Sequence, residues 1–211
     1  SIAADIVPIT GENRVLAYHG LKKLNENPRL GLNALIKLAG IRNDVNISSI
    51  VFGIGPRINA SGRMDHAKSA VDLLLADNFK TIESLAENLD TKNIQRRSFD
   101  NTITTEAIQM IEREDVESDH KSTVLYKDDW HKGVIGIVAS RCIDKYYRPT
   151  IILTESNGKA TGSARSVDGF DIYEAISQCS DLLEQYGGHM YAAGLTMDIE
   201  NVEAFKQRFE R

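Results

Sequence analysis

The sequence predicts an α/β protein with a helical N-terminal part, a long connecting helix and a compact C-terminal α/β unit on a mixed sheet. Three observations carry that expectation. Apolar residues recur at helical spacing through the first 77 residues, residues 78 to 120 hold neither Pro nor Gly, and from residue 122 short β-branched runs alternate with helical patterns. With 42% hydrophobic and 26% charged side chains, the 211 residues can bury a core for one large or two small domains.

The opening Ile2-Ala3-Ala4-Asp5-Ile6-Val7-Pro8 reads as the end of a buried strand. Residues 14–25 (Val15, Leu16, Leu21, Leu24) and 30–39 (Leu32, Leu35, Ile36, Leu38) read as helices, the second with Gly40 as its C-cap, and 67–76 as a third. Between them, the stretch Gly53 to Arg63 interleaves three glycines and a proline with Arg57, Asn59 and Arg63. It is expected to be a loop whose planar guanidinium forks suit phosphate. Asp77 is a candidate N-cap for the long helix, in which Phe79, Ile82, Leu85, Leu89, Phe99, Ile103, Met110 and Ile111 fall at spacings of three, four or seven. Its polar centre, Thr91 to Ser98, interrupts the stripe, as a helix crossing between two units would, and Arg96-Arg97 reads as a solvated face.

Beyond it, Ser122–Tyr126 reads as a strand, Val134–Tyr146 as a helix stopped by Arg148-Pro149, and Thr150–Thr154 as a strand. Asn157-Gly158 is a tight turn into the strand Lys159–Ala164. Ile172–Leu183 is then a helix, Tyr191–Met197 a strand and Val202–Phe209 a terminal helix.

The net charge of −5 is unevenly distributed. Residues 1–77 carry 9 basic and 7 acidic groups, 78–120 carry 5 and 10, and 121–211 carry 11 and 13. The deficit equals that of the middle segment, so the flanking units can present basic patches to a nucleic acid. No apolar run has the length of a membrane span, and Ser1-Ile2-Ala3-Ala4-Asp5 lacks a signal-peptide pattern, so a cytoplasmic location without a membrane partner is expected. Cys142 and Cys179 sit in helical apolar patterns and read as core residues. Trp130, the only tryptophan, reads as buried rather than as a base-stacking platform.

Three glycine-bracketed segments in the last third stand out: Trp130 to Gly136 with His131 and Lys132, Gly162-Ser163-Ala164-Arg165-Ser166, and Gly187-Gly188-His189. Glycine lets a ligand approach the backbone closely, while Arg, Lys, His and hydroxyls donate to phosphate oxygens. All three are expected as loops between elements, where ligand sites of α/β sheets lie, and His131 and Lys132 precede a helix N-terminus that already favours an anion.

Taken in order around one long helix, Ala4 to Pro8, Gly55 to Arg63, His131 to Arg141, Gly162 to Ser166 and Gly187 to His189 resemble the DHH/DHHA1 phosphoesterases, and within them the branch that degrades single-stranded DNA. The resemblance implies three parts: residues 1–77 as the C-terminal part of a DHH domain, 78–120 as the connecting helix and 121–211 as a DHHA1 domain. It implies a metal-dependent exonuclease in the full-length protein, using Mn²⁺ or Mg²⁺, working 5′ to 3′ on single-stranded DNA in repair and recombination, with a helicase and a single-strand-binding protein as further partners. Only Asp5 matches a metal ligand of the family, and no Asp-His-His occurs in this chain. One aspartate does not hold a two-metal site, so the chain is expected to supply substrate binding and to have no complete catalytic set. The residues implied for the 5′ phosphate and nearby backbone are Arg57, Asn59, Arg63, His131, Lys132, Ser163, Arg165, Ser166, Gly187, Gly188 and His189, placed in a cleft between domains. A phosphoesterase of short oligonucleotides or cyclic dinucleotides, and a module that binds single strands without cutting them, are the alternatives.

Overall fold

The computed structural model describes residues 2–4, 7–114 and 120–211. It divides into two compact units, Ser1–Arg97 and Ser98–Arg211. Among the described residues no helix is long and apolar enough to cross a membrane.

The first unit is helical: α1 (Gly11–Glu26), α2 (Leu30–Leu38), α3 (Ile47–Ser49), a π-helical turn at Ile50–Ile54, α4 (Gly55–Met64), α5 (Lys68–Leu75) and the start of α6 (Phe79–Glu114). Leu35, Leu73 and Leu89 are fully buried in its core beside Ile54, Ile82 and Ala86. Two expectations fail here. Residues 2–4 form a turn and 7–10 have no regular structure, so the opening strand is absent from the described residues; Asp5 and Ile6 lie outside them.

The segment from Gly53 to Arg63 is helical rather than a loop. Its glycines serve close packing: a Cβ on Gly53 would stand 3.3 Å from Ile41 Cδ1, and one on Gly55 would stand 3.0 Å from the Ile50 carbonyl. Pro56 falls in the first turn of α4, where its missing N–H has no partner to lose.

α6 runs for 36 residues. Its polar centre is only partly solvated, because Asn93 is buried, and just beyond it Asp100 is buried too. Inside the second unit, the Arg141 guanidinium donates to Asp100 Oδ2 at 2.9 Å, so the buried carboxylate is paired.

The second unit is built on β1 (Thr123–Tyr126), α7 (Ile135–Tyr146), β2 (Thr150–Ser156), β3 (Lys159–Arg165), α8 (Ile172–Ser177), β4 (Gln185–His189), β5 (Ala192–Met197) and α9 (Val202–Glu210). The strands lie in the order β1-β2-β3-β5-β4; β1 and β2 are parallel and the other pairs antiparallel, giving the expected mixed sheet. Asn157 and Gly158, with φ of 56° and 75°, form the two-residue turn that fixes the β2–β3 register. The helix expected over Ile172–Leu183 ends at Ser177, and a 3₁₀ turn follows at Ser180–Leu182.

Gly162 to Arg165 and Gly187 to His189 are strand, not loop. Gly188 has φ +153°, and a Cβ there would stand 2.3 Å from the Ala192 carbonyl, so only glycine lets β4 lie this close to β5.

One sheet face is closed by Ile172 and Ile176 of α8 and Phe205 of α9 against Ala164, Leu195 and Met197. On the other face, α7 packs on β2 and β3, with Val138, Ala139 and Cys142 in one cluster with Leu125 and Ile152 of the sheet and Ile103, Ala107 and Ile111 of α6. Cys142 and Cys179 are buried free thiols, and burial pushes Cys142 up to about 11, as befits core residues.

Trp130 is buried in the same layer. Its Nε1–H donates to Glu106 Oε2 at 2.8 Å, and its carbonyl accepts from the Thr154 hydroxyl at 2.6 Å. The Lys127 ammonium, also 2.8 Å from Glu106 Oε2, and then the Trp130 N–H hold the Glu106 carboxyl below the usual range. A carboxylate depressed in this way stabilises the fold above its unfolded pKa, and that contribution is lost as pH falls through the folded value. Glu106→Ala is therefore expected to melt below the parent at pH 7, with the gap narrowing below the ordinary glutamate pKa of about 4.3. Thermal unfolding followed by circular dichroism across pH checks this; a gap independent of pH contradicts it.

Candidate functional site

Along β3 the burial alternates strictly. Ala160, Gly162 and Ala164 face the core, while Thr161, Ser163 and Arg165 do not. The register continues the second set across the sheet: Arg165 pairs with Ala192, which pairs with His189, and Ser163 pairs with Gly194, which pairs with Gly187. Arg165, Ser163, Gly187 and His189 therefore share one face, on the side opposite the α8–α9 core. With neighbouring strands ~4.8 Å apart, the Arg165 and His189 backbones stand ~10 Å apart, a span that a phosphate and its sugar can bridge.

Each polar group here is held by local chemistry. Arg165 Nη1 donates to Ser163 Oγ at 3.1 Å and to the Ala164 carbonyl at 2.7 Å, which fixes the half-buried guanidinium beside a hydroxyl. His189 Nδ1 accepts the Tyr191 N–H at 3.2 Å, so the proton of the neutral ring sits on Nε2 and can be donated. Gly136, in the first turn of α7, leaves the room above them: a Cβ there would stand 2.8 Å from both Arg165 Nη2 and Ser163 Oγ. Gly187 and Gly194 floor a shallow hollow that Thr161, Thr196 and Gln185 rim. Those last three went unnoticed in the sequence, although their two-residue spacing from Ser163, Gly194 and Gly187 was the signal.

The other expected residues lie elsewhere or work differently. Ser166 follows β3, but its hydroxyl donates to the Phe170 carbonyl at 2.5 Å and closes a turn. Lys132 donates to Ser156 Oγ at 3.3 Å. Ser156 pairs with Lys159, six positions along β3 from Arg165, which is ~20 Å of strand. His131 is half-buried in the loop before α7 and is stacked on Phe99.

In the first unit, Arg57 is an internal brace. Its Nε donates to Asp90 Oδ1 at 2.7 Å, Nη1 to the Gly53 carbonyl at 2.7 Å and Nη2 to the Leu38 carbonyl at 3.1 Å. Asn59 and Arg63 are exposed on α4. Asp5 lies outside the described residues, and among those described no three His, Cys, Asp or Glu side chains converge as metal ligands would.

A sheet face that groups Ser163, Arg165 and His189 over a glycine floor is the geometry on which the family comparison bears. Residues 119–211 match the model of the DHHA1 domain. Over those residues the chain matches the DHHA1 domain, and over nearly its whole length it is similar to RecJ. It is 42% identical over 208 residues to the single-stranded-DNA-specific exonuclease RecJ of Bacillus subtilis, covering 97% of this chain and 26% of that protein. Against the RecJ of Escherichia coli the identity is 33% over 215 residues, 98% of this chain and 37% of that one. The crystal structure of Thermus thermophilus RecJ in complex with Mn²⁺ matches with a TM-score of 0.88 at 34% identity, covering 99% of this chain and 30% of that one. The corresponding Mg²⁺ complex gives 0.87. The chain thus spans about a quarter to two fifths of the length of these curated relatives.

Gly136→Ala tests the packing that positions the guanidinium. The added methyl meets the far ends of flexible side chains, so the expected loss of stability is about 1 kcal/mol or less, while the Arg165–Ser163 bond is displaced. Thermal unfolding and the NMR shift of the Arg165 side-chain N–H check both; an unmoved signal contradicts the close approach of α7.

Proposed function

We propose that this chain is the substrate-holding part of a single-strand-specific DNA exonuclease that hydrolyses phosphodiester bonds from the 5′ end with Mn²⁺ or Mg²⁺. The single observation that carries the reading is the grouping of Ser163, Arg165 and His189 on one sheet face, beside the Gly187 and Gly194 floor and next to the first turn of α7. Likeness to RecJ at 33–42% identity along nearly the whole chain supports DNA as the ligand.

In this reading a terminal phosphate takes charge-assisted hydrogen bonds from Arg165, a hydroxyl contact from Ser163 and the Nε2–H of His189. The glycines let the sugar lie against the backbone. Asn59 and Arg63 contact the strand from their own unit, Arg57 braces α4 and so positions them, and His131 and Lys132 meet the strand away from the terminal phosphate. Ser166 keeps the end of β3 in place. Holding the scissile phosphate still is a contribution in its own right, because a fixed reactant reacts as if highly concentrated.

The donors among the described residues do not fit a two-metal site, so their part is to hold and orient the strand. Asp5 is the one residue of this chain that would join the metal ligands of the full-length enzyme, in which the ions activate the attacking water and stabilise the leaving oxygen. A helicase and a single-strand-binding protein are its partners in repair and recombination.

Arg165→Ala is expected to weaken binding of a 5′-phosphorylated single strand by about 1–3 kcal/mol, the scale for removing a charged hydrogen-bonding group. Fluorescence anisotropy measures it, and unchanged affinity overturns the phosphate assignment. Affinity is also expected to fall steeply and log-linearly with salt, because phosphate contacts release counterions; a flat response rules out a nucleic acid held by phosphates. The chain by itself is expected to leave single-stranded DNA intact in the presence of Mn²⁺, and degradation by a clean preparation refutes the division of labour.

A further inference from the structure

We propose that Phe99 and His131 form a stacking platform for a nucleobase of the bound strand, separate from the phosphate-holding face. The inference rests on the reading of this chain as a single-strand binder and adds a contact that reads the base rather than the backbone.

Phe99 is 43% exposed, although Ile103 and Ala107, one and two turns further along α6, are buried. An exposed aromatic ring alone means little. Here it is met by a second plate: the Phe99 and His131 rings lie 25° from parallel with centroids 5.1 Å apart. The imidazole is fixed from two sides. Its Nδ1 accepts the Gly133 N–H at 3.1 Å, and the preceding residue, Trp130, is buried and bonded through its side chain to Glu106 and through its carbonyl to Thr154. A ring pair held this way loses little conformational freedom when a third ring joins the stack.

The charges beside the pair suit a nucleotide. Asp100, next to Phe99, is 1% exposed and paired with Arg141, so its carboxylate does not confront a phosphate. Lys132, next to His131, is exposed with its ammonium at Ser156. That cation favours the phosphate of a stacked nucleotide and opposes a cationic side chain from another protein, which would otherwise compete for the same rings. Aromatic stacking accepts any base but requires one that is unpaired, so the platform selects single strands over duplex without reading sequence. Lys132 reaches Ser156, which pairs with Lys159 at the end of β3 remote from Arg165, so the platform engages a different nucleotide from the one whose phosphate lies at Arg165.

The test compares the parent chain with Phe99→Leu, which keeps apolar bulk but removes the aromatic face, and Phe99→Trp, which restores it. Anisotropy with a 5′-phosphorylated dinucleotide and a 12-mer, together with 2-aminopurine placed in turn along the 12-mer, gives the readout. Phe99→Leu is expected to weaken the 12-mer about 5- to 100-fold and to leave the dinucleotide unchanged. The parent and Phe99→Trp are expected to quench 2-aminopurine at one interior position, and Phe99→Leu is not. If Phe99→Leu binds the 12-mer like the parent while Arg165→Ala does not, the platform is wrong and the phosphate reading stands. Equal loss for both oligonucleotides makes Phe99 a structural residue and also overturns the platform. If the parent binds neither, both readings fall together.

Discussion

The alternation of side chains along β3 and β5 is the constraint from which the rest of the second unit follows. Because neighbouring strand residues point to opposite faces, filling one face with Ala164, Leu195 and Met197 over α8 and α9 commits Thr161, Ser163 and Arg165 to the other. A slip of one residue would send Arg165 into the core and Ala164 to the surface. The Asn157-Gly158 turn and the pairing of Ser156 with Lys159 set that register, so a two-residue loop far from Arg165 decides where its guanidinium emerges.

Small residues then decide what can approach the exposed set. Gly136 lets the first turn of α7 come within contact of Arg165 and Ser163, and Gly188 lets β4 lie against β5 so that His189 reaches the same row. Replacing a hydrogen atom by a methyl at Gly136 displaces the Arg165 and Ser163 side chains, and at Gly188 it pushes β4 away from β5. In the first unit, Gly53 and Gly55 have the same packing role without an open face beside them, and Arg57 is used to hold the helices that they bring together.

These cases explain what the sequence made legible. β2, β3 and α7 follow from β-branched runs, the Asn-Gly turn and the Arg148-Pro149 stop, all local signals. The helix over 55–64 was not legible, because glycine and proline there answer to neighbours distant in sequence, such as Ile41 against Gly53. Gly187-Gly188-His189 read as a loop for a related reason: edge-strand glycine looks like turn glycine until the Ala192–Met197 strand lies beside it. The residue types of the candidate site were visible from composition, whereas their grouping was not. Register brings Ser163, Arg165 and His189 together and leaves Lys132 at the far end, and Phe99 could be singled out only once His131 was found lying on it.

The proposed ligand surface is one face of one sheet. Its most direct test is an NMR titration of the ¹⁵N-labelled chain with a short 5′-phosphorylated single strand. Shifts are expected to begin at Arg165, Ser163, Gly187, His189 and Gly194 and to leave the amides of α8 and α9 unmoved. Shifts concentrated on α8 and α9, or none on the Ser163–Arg165 row, would contradict it.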